Sequence, residues 1–594
     1  VFIKPTSTTT PAIMKALTSI VAYNLLSVHR LDAFAPPYPL SLSPRNAIKP
    51  RWKTTPNYAT TTSSSSSSLS SSSSATTYDL VVIGGGSSGL TAAKFARTFG
   101  KTVCLVECSR IGGDCTWTGC VPSKTLLHAA KRAWTWRKMN ERYGEGDGDD
   151  EDVSGGGRGI MNDACMLRML RNVKMYVDAN RERIYEEDDS SKVLRGLGMD
   201  LALGRARLCD GGRSVIVTDE NIDGMTTTTS RIIHARCGVV IATGASPGRY
   251  MFDRIRGLDD VPFWTYENLW DEGGFFDAVE RNHMRGRRMS EMRVIVVGGG
   301  PVGCELSQSL SRLGCSVVLI CGSARLLPNG EMEASAELKR VFKNEGIDVI
   351  CDQRVVSVVS LDGETIDYGN VGISRIIGDH ILIATGRVPN VERMGLDDIG
   401  VKINPVTNGI IVDEKLQTSV KGVYAAGDCT GDRQFTHYAG AIAARNILLP
   451  LKDTGVLSEV PSTTFTDPEV ASFGLTESRL PLTNMEAISI SFRPLSKIDR
   501  AICEGSDGLG FIKIVYKTKS RQILGATVMA PSAGELVSEL TAIQAAKMPL
   551  DKLATVMHSY PSYSIALQQM AAEVYYDKLK KNQSLYDVLK RAGL

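Results

Sequence analysis

The chain has 594 residues, 43% of them hydrophobic, and its 68 lysines and arginines nearly balance 65 acidic residues, giving a net charge of +3. That length allows several domains around substantial cores, whereas dispersed charge and 6% aromatic content leave no basic stripe with stacking platforms and so exclude a nucleic-acid binder. Thirteen cysteines in so long a chain do not make a disulfide scaffold, and most are expected as free, buried thiols.

Residues 1–77 are expected to lie outside the fold, as a targeting presequence and a Ser/Thr-rich linker. Ser63 to Ser74 is almost pure serine and cannot bury enough apolar area to order itself. Met14-Lys15-Ala16-Leu17 opens a charged-then-apolar run through Val28 that reads as a signal peptide, too short to span a membrane comfortably. Val1 ahead of it implies an over-extended gene model. Leu31-Asp32-Ala33-Phe34-Ala35-Pro36 leads into acid-poor, hydroxylated sequence containing Arg45, Lys49, Arg51 and Lys53. This resembles the bipartite presequences of plastids bounded by extra membranes, with Phe34 at the junction. The expected destination is the plastid, the mitochondrion and secretory pathway being the alternatives, with no integral membrane span in the mature protein.

Asp79-Leu80-Val81-Val82-Ile83 reads as a buried strand, and Gly84-Gly85-Gly86-Ser87-Ser88-Gly89 opens a helix at Leu90. This is the dinucleotide fingerprint G-x-G-x-x-G. Gly84 makes the tight turn, Gly86 lets backbone approach a pyrophosphate, Gly89 lets helix and strand pack, and the phosphates rest on the helix N-terminus beside Ser87 and Ser88. Glu107, at the end of the next strand, would hold a ribose hydroxyl.

Just downstream, Gly112-Gly113-Asp114-Cys115-Thr116-Trp117-Thr118-Gly119-Cys120-Val121-Pro122-Ser123-Lys124 sets two cysteines five positions apart. Such a pair can close a small, strained ring, and a strained, accessible disulfide accepts electrons more readily than a structural one. The alternative, half of a four-cysteine zinc site, lacks a second pair at ligand spacing, so no metal site is expected. Gly144 to Gly159 is acidic and glycine-rich, reads as a surface insertion, and lacks the spacing and terminal glutamate of a calcium loop.

A second fingerprint follows about two hundred residues later, Val294-Ile295-Val296-Val297-Gly298-Gly299-Gly300-Pro301-Val302-Gly303-Cys304-Glu305, with its next strand at Ser316 to Ile320. Two such units imply two dinucleotides, and with a redox-active cysteine pair the simplest chemistry is a relay from nicotinamide to flavin to sulfur. At the end of the second unit's strand, where an acid would accept a bond from a free ribose 2′-hydroxyl, stands Cys321. Ser323 and Arg325 just beyond offer a hydroxyl and a guanidinium, which suit a 2′-phosphate, so NADPH is expected over NADH.

Further along stand Ala242-Thr243-Gly244, Ala384-Thr385-Gly386-Arg387-Val388-Pro389-Asn390 and Val423-Tyr424-Ala425-Ala426-Gly427-Asp428 in that order, then Thr466-Asp467-Pro468-Glu469-Val470-Ala471, Leu524-Gly525-Ala526-Thr527 and Gly534-Glu535-Leu536. With both fingerprints and the cysteine pair, these make the chain resemble the class I pyridine nucleotide-disulfide oxidoreductases from about Tyr78 to Asp577. The resemblance implies an α/β fold with two Rossmann-like dinucleotide-binding domains, for FAD and NAD(P), and a C-terminal α+β dimerisation domain. Its divisions fall at 78–247 for FAD, 248–386 for NAD(P), 387–455 for a return to the FAD and central region, and 456–594 for the interface domain.

The same resemblance makes Cys115 and Cys120 a redox disulfide, with Cys120 the thiolate that touches the flavin and Cys115 the thiol that meets substrate. It pairs Lys124 with Glu305 near the flavin. It puts Gly113, Thr243, Gly244 and Asp428 at FAD, with Asp428 on the ribityl chain, and adds Gly386 and Arg387 to the cofactor residues. A homodimer with two shared sites is implied.

In the loop that such enzymes send into the partner's site, the chain departs from most relatives. His558-Ser559-Tyr560-Pro561-Ser562-Tyr563-Ser564-Ile565 puts Tyr560 where disulfide-reducing members carry a histidine, and Ile565 where they carry its carboxylate. An unperturbed phenol, pKa about 10, is a poor proton acceptor at neutral pH. His558 reads as structural, and Trp117, Tyr560 and Tyr563 are expected around the acceptor. Mercuric reductases also carry tyrosine near this position, but they end in a cysteine pair, whereas the last cysteine here is Cys503; the same absence argues against a high-molecular-weight thioredoxin reductase. The expected activity is NADPH-dependent transfer through FAD to the cysteine pair and on to a small molecule, a metal ion or a protein disulfide. Dihydrolipoyl dehydrogenase is the enzyme alternative, and a flavin-disulfide redox sensor the alternative of another class.

Overall fold

The strand Thr76–Ile83 (β1) leads, through a turn at Gly84, into the helix Ser87–Thr98 (α1) and the strand Val103–Glu107 (β2) in this computed structural model. Residues 76–143, 163–219, 230–248, 255–360, 366–367, 376–431, 436–455, 460–480, 487–506, 508–583, 587 and 590–591 are described, so the expected presequence and linker lie outside the described residues, as does the expected Gly144–Gly159 insertion, except that Thr76 and Thr77, placed before the fold, already belong to β1.

Leu80, Val81, Val82 and Ile83 are all buried, as a strand covered on both faces requires. After β2 come the short helix Gly113–Trp117 (α2), the helices Cys120–Tyr143 (α3) and Asp163–Ile184 (α4), and the strands Asp200–Leu203 (β3), Arg205–Cys209 (β4), Ser214–Thr218 (β5) and Ser230–Ile241 (β6). They form a seven-stranded sheet in the order β3-β2-β1-β6-β5-β4, parallel from β3 to β6, with a seventh strand also on β6.

A short strand, Ala245–Pro247 (β7), and the helix Phe275–Met284 (α5) precede the second unit. There Arg293–Val297 (β8), Pro301–Arg312 (α6), Ser316–Cys321 (β9), Met332–Asn344 (α7), Asp348–Cys351 (β10) and His380–Ile383 (β11) build a parallel sheet in the order β10-β9-β8-β11. The strand Arg387–Pro389 (β12) pairs with β7, and Val423–Ala425 (β13) returns the chain to the first sheet as the seventh strand, parallel to β6. The helix Thr436–Leu448 (α8) then packs on α1 so closely that a Cβ at Gly440 would stand 2.1 Å from Ser88 O.

The two units share one device. Gly84 and Gly298 take φ of +105° and +124°, and a Cβ on either would stand 2.3 Å from the carbonyl oxygen of Ala242 or Ala384. A Cβ on Gly89 or Gly303 would stand 1.8 Å from the oxygen of Gly84 or Gly298, so each helix rests directly on its own turn.

The C-terminal region is an antiparallel five-stranded sheet of Ser462–Thr464 (β14), Glu469–Gly474 (β15), Ile488–Pro494 (β16), Phe511–Lys517 (β17) and Ile523–Ala530 (β18), in the order β14-β15-β18-β17-β16. The short helix Asp499–Glu504 (α9) lies between β16 and β17, and Ala533–Ala545 (α10) and Ile565–Lys581 (α11) complete its hydrophobic core. Both α/β units and this α+β region are as expected. Among the described residues, no helix is long and apolar enough to cross a membrane.

Candidate active site

The two cysteines of the loop flank a turn held from both sides. Cys115 lies in α2 and Cys120 is the first residue of α3. Thr118 N and Gly119 N both donate to Asp114 O, at 3.0 and 2.5 Å, and Trp270 Nε1 donates to Thr118 O and to Tyr266 O, each at 2.8 Å. The start of α2 sits on the first fingerprint: Gly112 N donates to Gly85 O at 2.8 Å, and a Cβ on Gly113 would be 2.8 Å from Gly86 Cα.

Both cysteines are free thiols, Cys115 half-buried and Cys120 exposed. They are hydrogen-bonded to each other and titrate in opposite senses. Donation to Cys120, with burial, pushes Cys115 up, opposed by Ser87. The accepted bond from Cys115 lowers Cys120 to about 6, aided by the charges of Lys124 and Arg387 against burial and Glu305. The helix N-terminus also favours an anion at Cys120. Ionisation is therefore favoured at Cys120 and opposed at Cys115, the direction that the family resemblance implies for the two sulfurs.

Lys124 stands one turn further along α3. Its Nζ is 2.8 Å from Glu305 Oε2 and 4.5 Å from the centre of the Phe465 ring. Glu305, buried on α6, accepts Phe465 N at 2.9 Å with its other oxygen. The expected pair thus forms across 181 residues of sequence.

Arg387 makes a second charged knot beside the loop. It donates to Asp114 Oδ2 at 2.5 Å, Tyr266 OH at 2.9 Å and Ala245 O at 2.6 Å, and to Asp428 Oδ2. Burial pushes the Asp114 carboxyl up, against the pull of Arg387. Asp428, expected at the ribityl chain, is engaged here by Arg387. Thr243 Oγ1 donates to Asn390 O at 2.6 Å and Asn390 N to Gly244 O at 3.0 Å, so the loops closing the two nucleotide units are tied together. Gly386 faces open space, with no heavy atom within 4 Å of a built Cβ.

The nucleotide cradles follow from their glycines. Glu107 accepts Gly85 N at 2.6 Å and Ser109 N at 2.7 Å, which orients its carboxylate under the first fingerprint. FAD fits this cradle, because Gly84, Gly89 and Gly113 stand where a Cβ would meet backbone, Gly86 leaves its own backbone bare, and Ser87 and Ser88 stand at the helix start. In the second unit Gly300 opens onto free space and Val302 is partly exposed at the start of α6. Arg325 departs from the expected arrangement. Its Nη2 donates to Pro328 O at 2.9 Å, turning the guanidinium back onto its own loop.

The C-terminal loop keeps its polar groups within its own region. Tyr560, 68% exposed, donates to Asp499 Oδ2 at 2.9 Å, and that bond to a carboxylate raises the phenol above its ordinary value. Tyr563 OH donates to Glu504 Oε2 at 2.8 Å. His558 meets Glu539 Oε1 through Nε2 at 2.8 Å and Val556 O through Nδ1 at 2.9 Å. Both partners are acceptors, so neither ring nitrogen is left to serve a substrate, and the structural reading of His558 fits this geometry.

Trp117 does not face a pocket as expected. It is buried, donating to Ile111 O at 2.7 Å and packed against Tyr185, with Arg110 over its ring at 4.2 Å. Sequence reasoning left Asp114, Tyr266, Trp270, Phe465 and Glu539 unassigned. Only Asp114 carried a signal, an acid beside a reactive cysteine.

Residues 78–444 match the family described as pyridine nucleotide-disulphide oxidoreductase, and residues 460–571 match its dimerisation domain. Among curated relatives, a mercuric reductase of Acidithiobacillus ferrooxidans is 30% identical over 486 residues, 81% of this chain and 80% of that one. A dihydrolipoyl dehydrogenase of Thermus scotoductus is 30% identical over 500 residues, 82% of this chain and 95% of its own. Among solved structures, the HOCl-induced flavoprotein disulfide reductase RclA of Escherichia coli, as its Cu(II) complex, superposes with a TM-score of 0.67 at 22% identity, covering 84% of this chain and 99% of that one. LpdA of Mycobacterium tuberculosis gives 0.68 at 25% identity with the same coverage.

Proposed function

Because the chain belongs to the pyridine nucleotide-disulfide oxidoreductase family, whose members bind FAD and NAD(P), we propose that it is an NADPH-dependent reductase acting through Cys115 and Cys120 on a thiol-reactive acceptor. The observation that carries this reading is the contact between the free Cys115 and Cys120, one turn from the Lys124–Glu305 pair, in surroundings that favour the anion at Cys120. FAD, when bound, supplies the two-electron link between nicotinamide and sulfur. The residues that would hold it are Gly84, Gly86, Ser87, Ser88, Gly89, Glu107, Gly113, Lys124, Thr243, Gly244 and Asp428.

With a disulfide acceptor, Cys115 sulfur, its proton lost to solvent, attacks one acceptor sulfur and expels the other as a thiolate. Cys120 thiolate then attacks Cys115 sulfur and releases the second thiolate. The pair is oxidised by two electrons and the acceptor reduced by two. A soft metal ion takes the same two electrons through thiolate ligation. Protonating the leaving thiolates falls to solvent, because Tyr560 is held in its phenol form by Asp499 and His558 is engaged. This favours a mercuric reductase-like activity over that of a dihydrolipoyl dehydrogenase.

The test is an anaerobic NADPH titration, followed by an assay with lipoamide. A long-wavelength thiolate charge-transfer band after one equivalent, with slow lipoamide turnover, is the expected result. Direct bleaching without the band removes the cysteine pair from the electron path, and rapid lipoamide turnover overturns the assignment of Tyr560.

The matched dimerisation domain, with Met557 87% exposed beside the loop, supports a homodimer, and the Phe34-containing presequence supports a plastid destination. A monomeric mass by light scattering would sink the first, and a cytosolic reporter fused behind residues 14–60 the second.

A further inference from the structure

The second nucleotide unit lacks an acid where the donor's ribose belongs. Cys321 ends β9 there, buried, its Sγ 3.3 Å from Arg325 O and 2.4 Å from where a Cβ on Gly299 would stand. The last residue of the strand itself thus offers a free 2′-hydroxyl a thiol in place of a carboxylate, which removes the acid that would repel a 2′-phosphate from that position. Arg325 is turned to Pro328 O and lies within electrostatic reach of Glu333, which pairs with Lys513 at 2.5 Å.

The neighbouring strand supplies a different cation. β10 runs parallel to β9 with Cys351 opposite Cys321, so the residues after Cys351 emerge beside the ribose end of β9. Asp352 takes φ of +60° and turns the chain, and two backbone bonds pin it across the strand end: Asp352 N to Ser323 O at 2.9 Å and Gln353 N to Cys321 O at 3.1 Å. Arg354 then lies along Gly322, where a Cβ would stand 3.3 Å from Arg354 Cγ and 3.6 Å from its Nε. Its side chain is exposed and makes no hydrogen bond or ion pair among the described residues. The absence of a side chain at Gly322 gives the guanidinium its path towards Ser323.

We propose that Arg354, with Ser323, recognises the 2′-phosphate of the nicotinamide donor, and that Arg325 does not. This rests on the NADPH reading above. A planar guanidinium over the strand end presents a fork of N–H donors to phosphate oxygens, a charge-assisted contact that the 2′-hydroxyl of NADH cannot replace.

The experiment is calorimetric binding of NADP+, NAD+ and 2′,5′-ADP to the FAD-loaded full-length enzyme and to its R354Q, R354K and R325Q variants, with steady-state kinetics alongside. R354Q is expected to weaken NADP+ and 2′,5′-ADP by about tenfold or more while leaving NAD+ within about twofold, with R354K between. The kinetic loss should fall on KM for NADPH and not on kcat, because the contact is made equally in ground and transition states. The effect should shrink with added salt. An unchanged NADP+ to NAD+ ratio in R354Q, or the whole loss appearing in R325Q, overturns the assignment of Arg354. Equal binding of NADP+ and NAD+ by the unaltered enzyme overturns the NADPH reading itself, and that is seen before any variant is made.

Discussion

Replacing Cys120 by serine is expected to lower turnover with disulfide or soft-metal acceptors by at least about a thousandfold, since the variant loses the thiolate that closes the cycle. Cys115→Ser should cost as much by another route, removing the sulfur that meets the acceptor and also the donor that lowers Cys120. The two variants then differ in one measurable way. In Cys115→Ser the remaining Cys120 should be alkylated by iodoacetamide with a midpoint above the value of about 6 expected for the intact reduced pair. A serine hydroxyl is a weaker influence on that sulfur than a second thiol in contact. In Cys120→Ser the remaining Cys115 should react slowly at neutral pH, because burial still opposes its ionisation. Rapid turnover of sulfur acceptors by either variant would remove the pair from the chemistry, whereas activity surviving only with quinones would leave it as the exit for sulfur and metal acceptors.

What was legible in the sequence follows from how local each constraint is. The fingerprints could be read because a Cβ at Gly89 or Gly303 would stand 1.8 Å from a backbone oxygen only five residues away, so composition alone reports the geometry. The cysteine pair was legible for the same reason, being joined by a single turn. Lys124 and Glu305 meet across 181 residues and became visible only through resemblance to a family.

The grip of Trp270 on Thr118 O and of Tyr266 on Asp114 was not legible, because nothing in their own segment marks them as facing the redox loop; the contact exists only once α2 and the chain after β7 are folded together. The carboxylate that holds His558 was missed similarly, since Glu539 lies on α10, 19 residues upstream, and nothing in that segment marks it as facing the loop. Side-chain direction was the weakest inference. Trp117 and Arg325 are of the type expected at a pocket and a phosphate, yet one is buried by packing and the other is turned to Pro328 O.

Lys124 offers a test in which two substitutions must move one quantity in opposite directions. Lys124 and Cys120 are four apart on one helix face, so the ammonium stabilises the Cys120 anion, while Glu305 on the far side of the ammonium opposes it. Lys124→Met keeps the bulk and removes the cation. The alkylation midpoint of Cys120 should then rise from about 6 by about one pH unit or more, and its thiolate should be lost over a higher range as the pH falls.

The same change leaves Glu305 buried with, among the described residues, the Phe465 N–H as its remaining hydrogen-bond donor, and should destabilise the fold by about 2 kcal/mol, less than a fully buried pair would cost because Lys124 is partly exposed. Glu305→Gln removes the opposing charge and frees Lys124 to act on the sulfur alone. Its midpoint should fall below that of the unaltered enzyme, although Glu305 is the more deeply buried partner and its replacement disturbs the packing at least as much. General damage to the site would move both midpoints the same way, towards an ordinary thiol. Shifts of opposite sign would therefore establish that this pair sets the charge of Cys120 electrostatically, and shifts of the same sign would reduce it to a structural bridge between α3 and α6.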